Sequence, residues 1–166
     1  MDGKIAKLFL LEIERRLFQE CFPRLTKCIN MLSDEQIWSR PNDASNSLGN
    51  LILHLKGNAR QWMGTTFGGR QDDRNRAAEF FETEPLPKAD LLRIVIDLQT
   101  NLEDIFEGID VGDLLKEYDV QVYRETGLAI LVHVTEHFSY HVGQATYLVK
   151  MMTGRQTGYY EGQDLG

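Results

Sequence analysis

KADLLRIVIDLQTNLEDIFEGID, residues 88–110, places Leu91, Val95, Leu98, Leu102, Ile105 and Ile109 at successive steps of four, three, four, three and four. That rhythm keeps one apolar stripe on one side of an α-helix and is the seam of a left-handed helix bundle. A single amphipathic helix cannot bury such a stripe alone, so the flanking sequence has to supply its partners.

It does so on both sides. Downstream, residues 126–153 form a long apolar-rich helical stretch that stops at Gly154, a residue suited to the left-handed turn after a helix. Between them, residues 111–125 are mixed, and Val120, Val122 and Tyr123 read as a short extended piece. Upstream, Leu48, Leu51, Leu55, Ala59 and Trp62 make the stripe of a helix over residues 46–66, with Asn46 or Ser47 as its cap. Ser33-Asp34-Glu35-Gln36 is a capping box opening one short turn with Ile37 and Trp38, which Pro41 ends. Leu10, Ile13, Leu17, Cys21, Leu25 and Cys28 give the first helix, residues 4–31, in which Pro23 predicts a kink or a split.

Four amphipathic helices without a strong strand signal predict an all-α four-helix bundle. Residues 67–87, containing Gly68-Gly69 and ending in Pro85 and Pro87, form a long link. At about 3.3 Å per extended residue, such a link can run back along a whole helix of about 30 Å. Helices two and three can therefore run parallel, and the expected topology is up-down-down-up with a long crossover between them. Residues 1–166 are read as a single domain, since this length suits one core.

Composition narrows the partners. The net charge of −7 and the scattered Arg70, Arg74 and Arg76, diluted by Asp72 and Asp73, argue against a nucleic-acid partner. The apolar start, Ile5 to Leu11, is broken by Lys7 and followed by Glu12, Glu14, Arg15 and Arg16, so neither a signal peptide nor a membrane span is expected, and the cytoplasm is the default compartment. Cys21 and Cys28 lie seven residues apart on one helix, about 10 Å, which is too far for a disulfide. They read as small core residues.

The chemical signal lies in the four histidines, His54 on helix two and His133, His137 and His141 on helix four. On a helical wheel with His133 at zero, His137 falls at about 40° and His141 at about 80°. Ile130, Val134, Phe138, Ala145 and Leu148 span about 60° to 140°. His141 thus sits within the apolar face, His137 at its border and His133 outside it. Two inward imidazoles one turn apart can share an ion, and His54, flanking the helix-two stripe, is the available third ligand. Ordinary hydrogen-bonded core histidines are the other reading of the same pattern. Trp38 and Trp62 read as core, Trp62 also as a pocket wall. Glu136 and Tyr140 lie on the outer side, Gln144 lies close to His141, and Asn58 faces either a ligand or a packed helix.

With these residues quoted, the chain resembles the DinB-like superfamily of four-helix-bundle metalloproteins, a family distinct from the DNA polymerase that shares the name. The likeness is carried by residues 32–38 (LSDEQIW) with Arg40-Pro41, residues 46–58 (NSLGNLILHLKGN) and residues 132–144 (VHVTEHFSYHVGQ). Within the superfamily, the chain is most similar to a subgroup of unassigned function. The resemblance implies a metal triad of one helix-two histidine and two helix-four histidines four apart, which map to His54, His137 and His141. His133 is extra. Relatives in the superfamily include bacillithiol S-transferases and a mycothiol-dependent maleylpyruvate isomerase. The resemblance therefore implies one divalent ion, zinc or nickel with iron also admitted, and a low-molecular-weight thiol. It also implies a homodimer, for which Leu53, turned away from the Leu51/Leu55 stripe, is the sequence's own hint.

Two functions follow from this reading. One is a metal-dependent S-transferase acting on a small-molecule thiol and an electrophile, in a pocket roofed by the 67–87 loop and the C-terminal tail. The other is a non-enzymatic stress-response binding protein with a structural or vestigial metal site. The pattern names metal ligands and no separate catalytic group. His54→Ala, His137→Ala and His141→Ala are each expected to lose most of one bound equivalent of metal, and His133→Ala to keep it. Elemental analysis of the four purified variants checks this, and equal loss in His133→Ala would overturn the triad.

Overall fold

The structure is a computed structural model and describes residues 3–81, 85–164 and 166. Helix α1 (Gly3–Glu14) continues through a π-helical segment (Arg15–Cys21) into α2 (Phe22–Met31) as one rod. The helix is not split at Pro23. Pro23 lies in the first turn of α2, where its missing N–H costs least, and the Phe22 N–H reaches back five residues to the Leu17 carbonyl. The rod ends at Leu32, and α3 (Asp34–Trp38) opens on the Ser33 capping box.

Helix α4 (Leu48–Ala59) is capped by Ser47, whose hydroxyl accepts from the Asn50 N–H, and passes into a second π-helical segment, Arg60–Gly64. The crossover leads to α5 (Lys88–Glu107), which ends at Gly108, so Ile109 packs beyond the helix rather than on its last turn. A 3₁₀ turn (Val111–Leu115) and a hairpin of β1 (Glu117–Val120) and β2 (Tyr123–Thr126) fill the mixed segment. The expected extended piece is therefore two strands, and Val122 belongs to their turn, where Gln121 takes a φ of 54°. Helix α6 (Gly127–Thr153) is capped by Thr126 and stopped by Gly154 at a φ of 64°.

The topology is up-down-down-up. Phe22 meets Phe138 and Cys28 meets Thr146, so the first rod and α6 run parallel. The Lys88 ammonium donates to the carbonyls of Asn30 and Leu32, which sets the start of α5 against the end of α2. Trp38 ties the start of α4 to the start of α5: its ring covers Gly49 and its Nε1 donates to the Leu86 carbonyl. Gly68, just past the second π-helical segment, lies against Ile105 near the end of α5. Helices α4 and α5 are therefore parallel, and the crossover runs the length of the bundle to join them.

The stripes read from the sequence form the core: Leu17, Leu25, Leu55, Leu91, Leu102, Val134 and Phe138 are buried in one cluster. Leu53 is half-buried and lines a cavity beneath the crossover, so it offers no open face for a second copy. The tail lies between α2 and α6, with the Tyr159 hydroxyl 3.1 Å from Cys28 Sγ, and does not roof the histidines. Among the described residues, no helix is long and apolar enough to cross a membrane.

This core closes without help from the histidines, unlike that of a zinc finger. Chelated protein is expected to keep its helical circular dichroism and to melt at a lower temperature than the loaded form, by ligand linkage. Loss of the helical signal on chelation would contradict this.

Candidate metal centre

Helices α4 and α6 run antiparallel, so residues four apart on each face one another as rungs. His54 projects from α4, and His137 and His141 from consecutive turns of α6. His54 and His141 are 6% and 8% exposed, and His137 is half-buried. His137 Nε2 lies 3.0 Å from His54 Nε2, and one ring nitrogen from each of the three lies within 4.8 Å of the others. The wheel placed these side chains correctly: His141 is the deeper of the α6 pair and His137 borders the surface.

The outer nitrogens show which atoms face inward. His54 Nδ1–H donates to Glu79 Oε2 at 2.8 Å, and His141 Nδ1–H donates to Gln144 Oε1 at 2.7 Å. A carboxylate only accepts, so His54 carries its proton on Nδ1 even though Arg74 Nη2 also lies 3.2 Å away. With the Gln144 amide oxygen turned to it, His141 does the same, and both rings then present Nε2 lone pairs to the centre. Burial is the main force lowering all three proton affinities. His137, with His141 and His54 beside it, is pushed down to about 3. For His54, burial outweighs the opposing pull of Glu79. Three neutral imidazoles with converging lone pairs are what a divalent ion requires. Ligand nitrogens on a tetrahedral zinc at about 2.0–2.1 Å stand about 3.3 Å apart, close to the observed 3.0 Å contact. The residues present fit one ion.

Glu79 is the functional residue that the sequence did not single out. It lies in the crossover, with its side chain 8% exposed, paired to Arg74 at 6%. Arg74 Nε donates to Oε1 at 2.7 Å and Nη2 to Oε2 at 2.9 Å, while Nη1 donates to Gln61 Oε1 at 2.8 Å. The backbone beside it is fastened as well, since Asn50 Nδ2 donates to the Glu79 carbonyl and Arg40 Nη2 to the Phe80 carbonyl. Gly57 makes room: a Cβ there would stand 1.9 Å from Glu79 Oε1. Gly57, in the interior of α4, signals a close approach to the helix but does not say by which residue.

The remaining residues divide clearly. His133 stands outside the triad: its ring stacks on Trp62 at 3.8 Å and its Nε2 accepts from Asn58 Nδ2 at 3.3 Å. Glu136 and Tyr140 are exposed. Trp62 is buried as expected, whereas Trp38 is half-buried and hydrogen-bonded through its ring nitrogen. Cys21 and Cys28 are free and buried on the first rod, and burial pushes the Cys21 thiol up to about 11. Neither belongs to the cluster.

The four-helix-bundle fold is shared with solved DinB-like proteins. The DinB-like protein YjoA of Bacillus subtilis superposes with a TM-score of 0.67 at 21% identity, covering 87% of this chain and 93% of its own. A DinB-like protein of Bacillus cereus ATCC 10987 superposes with a TM-score of 0.65 at 16% identity, covering 81% and 87%. The fold implied by the resemblance is thus the fold observed. The chain belongs to the family described as "Protein of unknown function (DUF1572)", which it matches over residues 4–159. No curated protein matches it.

Outer partners of metal-bound histidines typically contribute about 10- to 100-fold in affinity. Glu79→Ala and Gly57→Ala, which removes the space Glu79 occupies, are both expected to weaken metal binding within that range. Substitution of the exposed Glu136 by Ala is expected to leave it unchanged. Competition against a chromophoric chelator measures all three.

Proposed function

We propose that the chain is a metal-dependent S-transferase that holds one divalent ion on His54, His137 and His141, takes up a small thiol there as its thiolate with the proton lost to solvent, and joins that whole thiolate through sulfur to an electrophile, which gives up its leaving group. The observation that carries this reading is the three-ligand cluster itself. Among the described residues, no fourth His, Cys, Asp or Glu joins the group. Glu79 stands behind His54 with both oxygens held by Arg74. Structural zinc sites are closed by four protein ligands, whereas reactive ones leave a position for water or substrate.

When bound, such an ion supplies the positive charge that favours the thiolate of an incoming thiol at neutral pH. The chain's own part is arrangement. Glu79 and Gln144 hold protons on the outer nitrogens of His54 and His141, so their inner lone pairs stay free. All three ligands are neutral, which leaves the charge of the ion undiminished for the sulfur. The chain's own cysteines are buried on the first rod, so the thiol has to come from outside.

Room for the second substrate would lie beside Gln144, the hydrogen-bond partner of His141. A cavity of about 730 Å³ opens between the 41–46 loop and α6, and its lining includes Leu51, Tyr140, Gln144 and Tyr147. Gln144 belongs to both the cavity and the His141 hydrogen bond, so an electrophile held there would lie one side chain from the centre. Self-association belongs to this proposal too. Ile5, Leu8 and Leu11, each more than half exposed on α1, are a better face for a second copy than Leu53.

Cobalt-substituted protein tests the reading. A thiol from a panel of glutathione, bacillithiol, mycothiol and coenzyme A is expected to produce a sulfur-to-metal charge-transfer band in the near ultraviolet that is absent in His141→Ala. If no thiol in the panel perturbs the cobalt spectrum, the transferase reading falls and the non-enzymatic binding protein takes its place.

A further inference from the structure

One rung beyond the metal ligands, the α4–α6 seam holds two polar atoms with nothing to bond. Asn58 is four residues after His54 and His133 four before His137, so their contact repeats the His54–His137 contact one turn further along. Trp62 follows beyond α4, in the π-helical segment Arg60–Gly64, with its ring flat on His133. Such segments are often found at functional sites. Asn58 and Trp62 are 4% and 5% exposed, yet Asn58 Oδ1 and Trp62 Nε1 have no hydrogen-bond partner. Buried polar groups are nearly always paired, because an unpaired one forfeits its hydration without compensation. Turning the Asn58 amide over would exchange the unpartnered acceptor for an unpartnered donor and still leave one atom unmatched.

We propose that Asn58, Trp62 and His133 form a subsite for a secondary amide carried by the ligand of the metal centre. Asn58 Oδ1 would accept from the amide N–H, Trp62 Nε1–H would donate to its carbonyl, and the His133 ring would flank it. An amide suits the pair because its N–H and C=O point in opposite directions, matching an acceptor and a donor that belong to different side chains. Neither atom meets solvent in this arrangement. The hairpin closes over them, with Tyr123 6.1 Å from the Trp62 ring and Gln121 bonded to Gln61. The ligand amide would have to enter from the centre, past the half-buried His137. The rung lies about 6 Å from the His54–His137 rung, the distance covered by a metal–sulfur bond of about 2.3 Å followed by a two-carbon link. The sulfur end of this ligand rests on the function proposed above, and the amide end does not.

N-acetylcysteamine has that spacing, and 2-mercaptoethyl acetate is its shape-matched ester without the N–H. The protein supplies an internal control, because Trp38 Nε1 already donates to the Leu86 carbonyl at 2.9 Å. In ¹⁵N-labelled, zinc-loaded protein, N-acetylcysteamine is expected to move the Trp62 indole N–H resonance downfield and leave that of Trp38 in place. It should bind about tenfold more tightly than the ester, the worth of one hydrogen bond. Asn58→Leu should erase that difference, and Trp62→Phe should identify the moving resonance. If both thiols bind equally, or if the thiol reaches the cobalt centre without moving Trp62, the subsite is overturned while the transferase reading stands. If no thiol binds, N-methylacetamide decides. A saturable Trp62 shift that is lost in Asn58→Leu supports the subsite without the thiol. No shift, as when an immobile water already fills the space, overturns it.

Discussion

Arg74, Glu79 and His54 meet in a buried contact that joins the crossover to the bundle and orients the site. Removing one partner from a buried ion pair commonly costs about 3–5 kcal/mol, because the other charge is left in a poorly solvating interior. The pair here is well furnished: both Glu79 oxygens accept from Arg74, and one also accepts from His54. The hydrogen bond to His54 selects its Nδ1-protonated tautomer and directs Nε2 at His137. A crossover that could have been a loose strap is instead part of the centre, anchored again through Asn50 and Arg40. Gly57 belongs to the same contact, because only a residue without Cβ lets the carboxylate approach α4 so closely.

The electrostatics of the seam follow from its burial. Four imidazoles stacked along two antiparallel helices could not all be charged at once, and burial lowers the proton affinity of each. The result is a column of neutral nitrogen donors in a protein that is acidic overall. At one end the lone pairs converge on a common point. At the other, His133 is turned away, held by Asn58 and Trp62. The division between ligand and neighbour is therefore set by the second helix. His54 faces His137 and His141, and no histidine of α4 faces His133.

Much of the fold could be read without coordinates, because the information is local. The stripe from Leu91 to Leu102, the capping box at Ser33, the cap at Asn46 or Ser47 and the stop at Gly154 each depend on residues within a turn or two. The parallel pairing of α4 and α5 also followed, since the length of the 67–87 link sets its reach. The misreadings lie where a distant contact overrides a local tendency. Pro23 predicts a kink or a split, but α2 packs against both α5 and α6, and the helix runs on from a π-helical segment through the proline without a split. Leu53 looks like an outward apolar residue until the crossover folds over it. The tail is polar enough to reach anywhere, and the Tyr159 hydroxyl settles it by Cys28 and Thr146, away from the histidines.

The same distinction holds at the site. Helical periodicity alone put His137 and His141 on the inward side of one helix and His54 beside the stripe of another, because the angle between residues on a helix does not depend on the rest of the chain. What periodicity leaves open is the rotation and depth of one helix against the other. Only the packed bundle brings three ring nitrogens within bonding range of one ion. Nor could any local rule pick Glu79 from among the 25 acidic residues, since it stands 25 positions from His54 in a segment without periodicity. Its role arises from crossover closure, a long-range event that buries a carboxylate beside a histidine and an arginine.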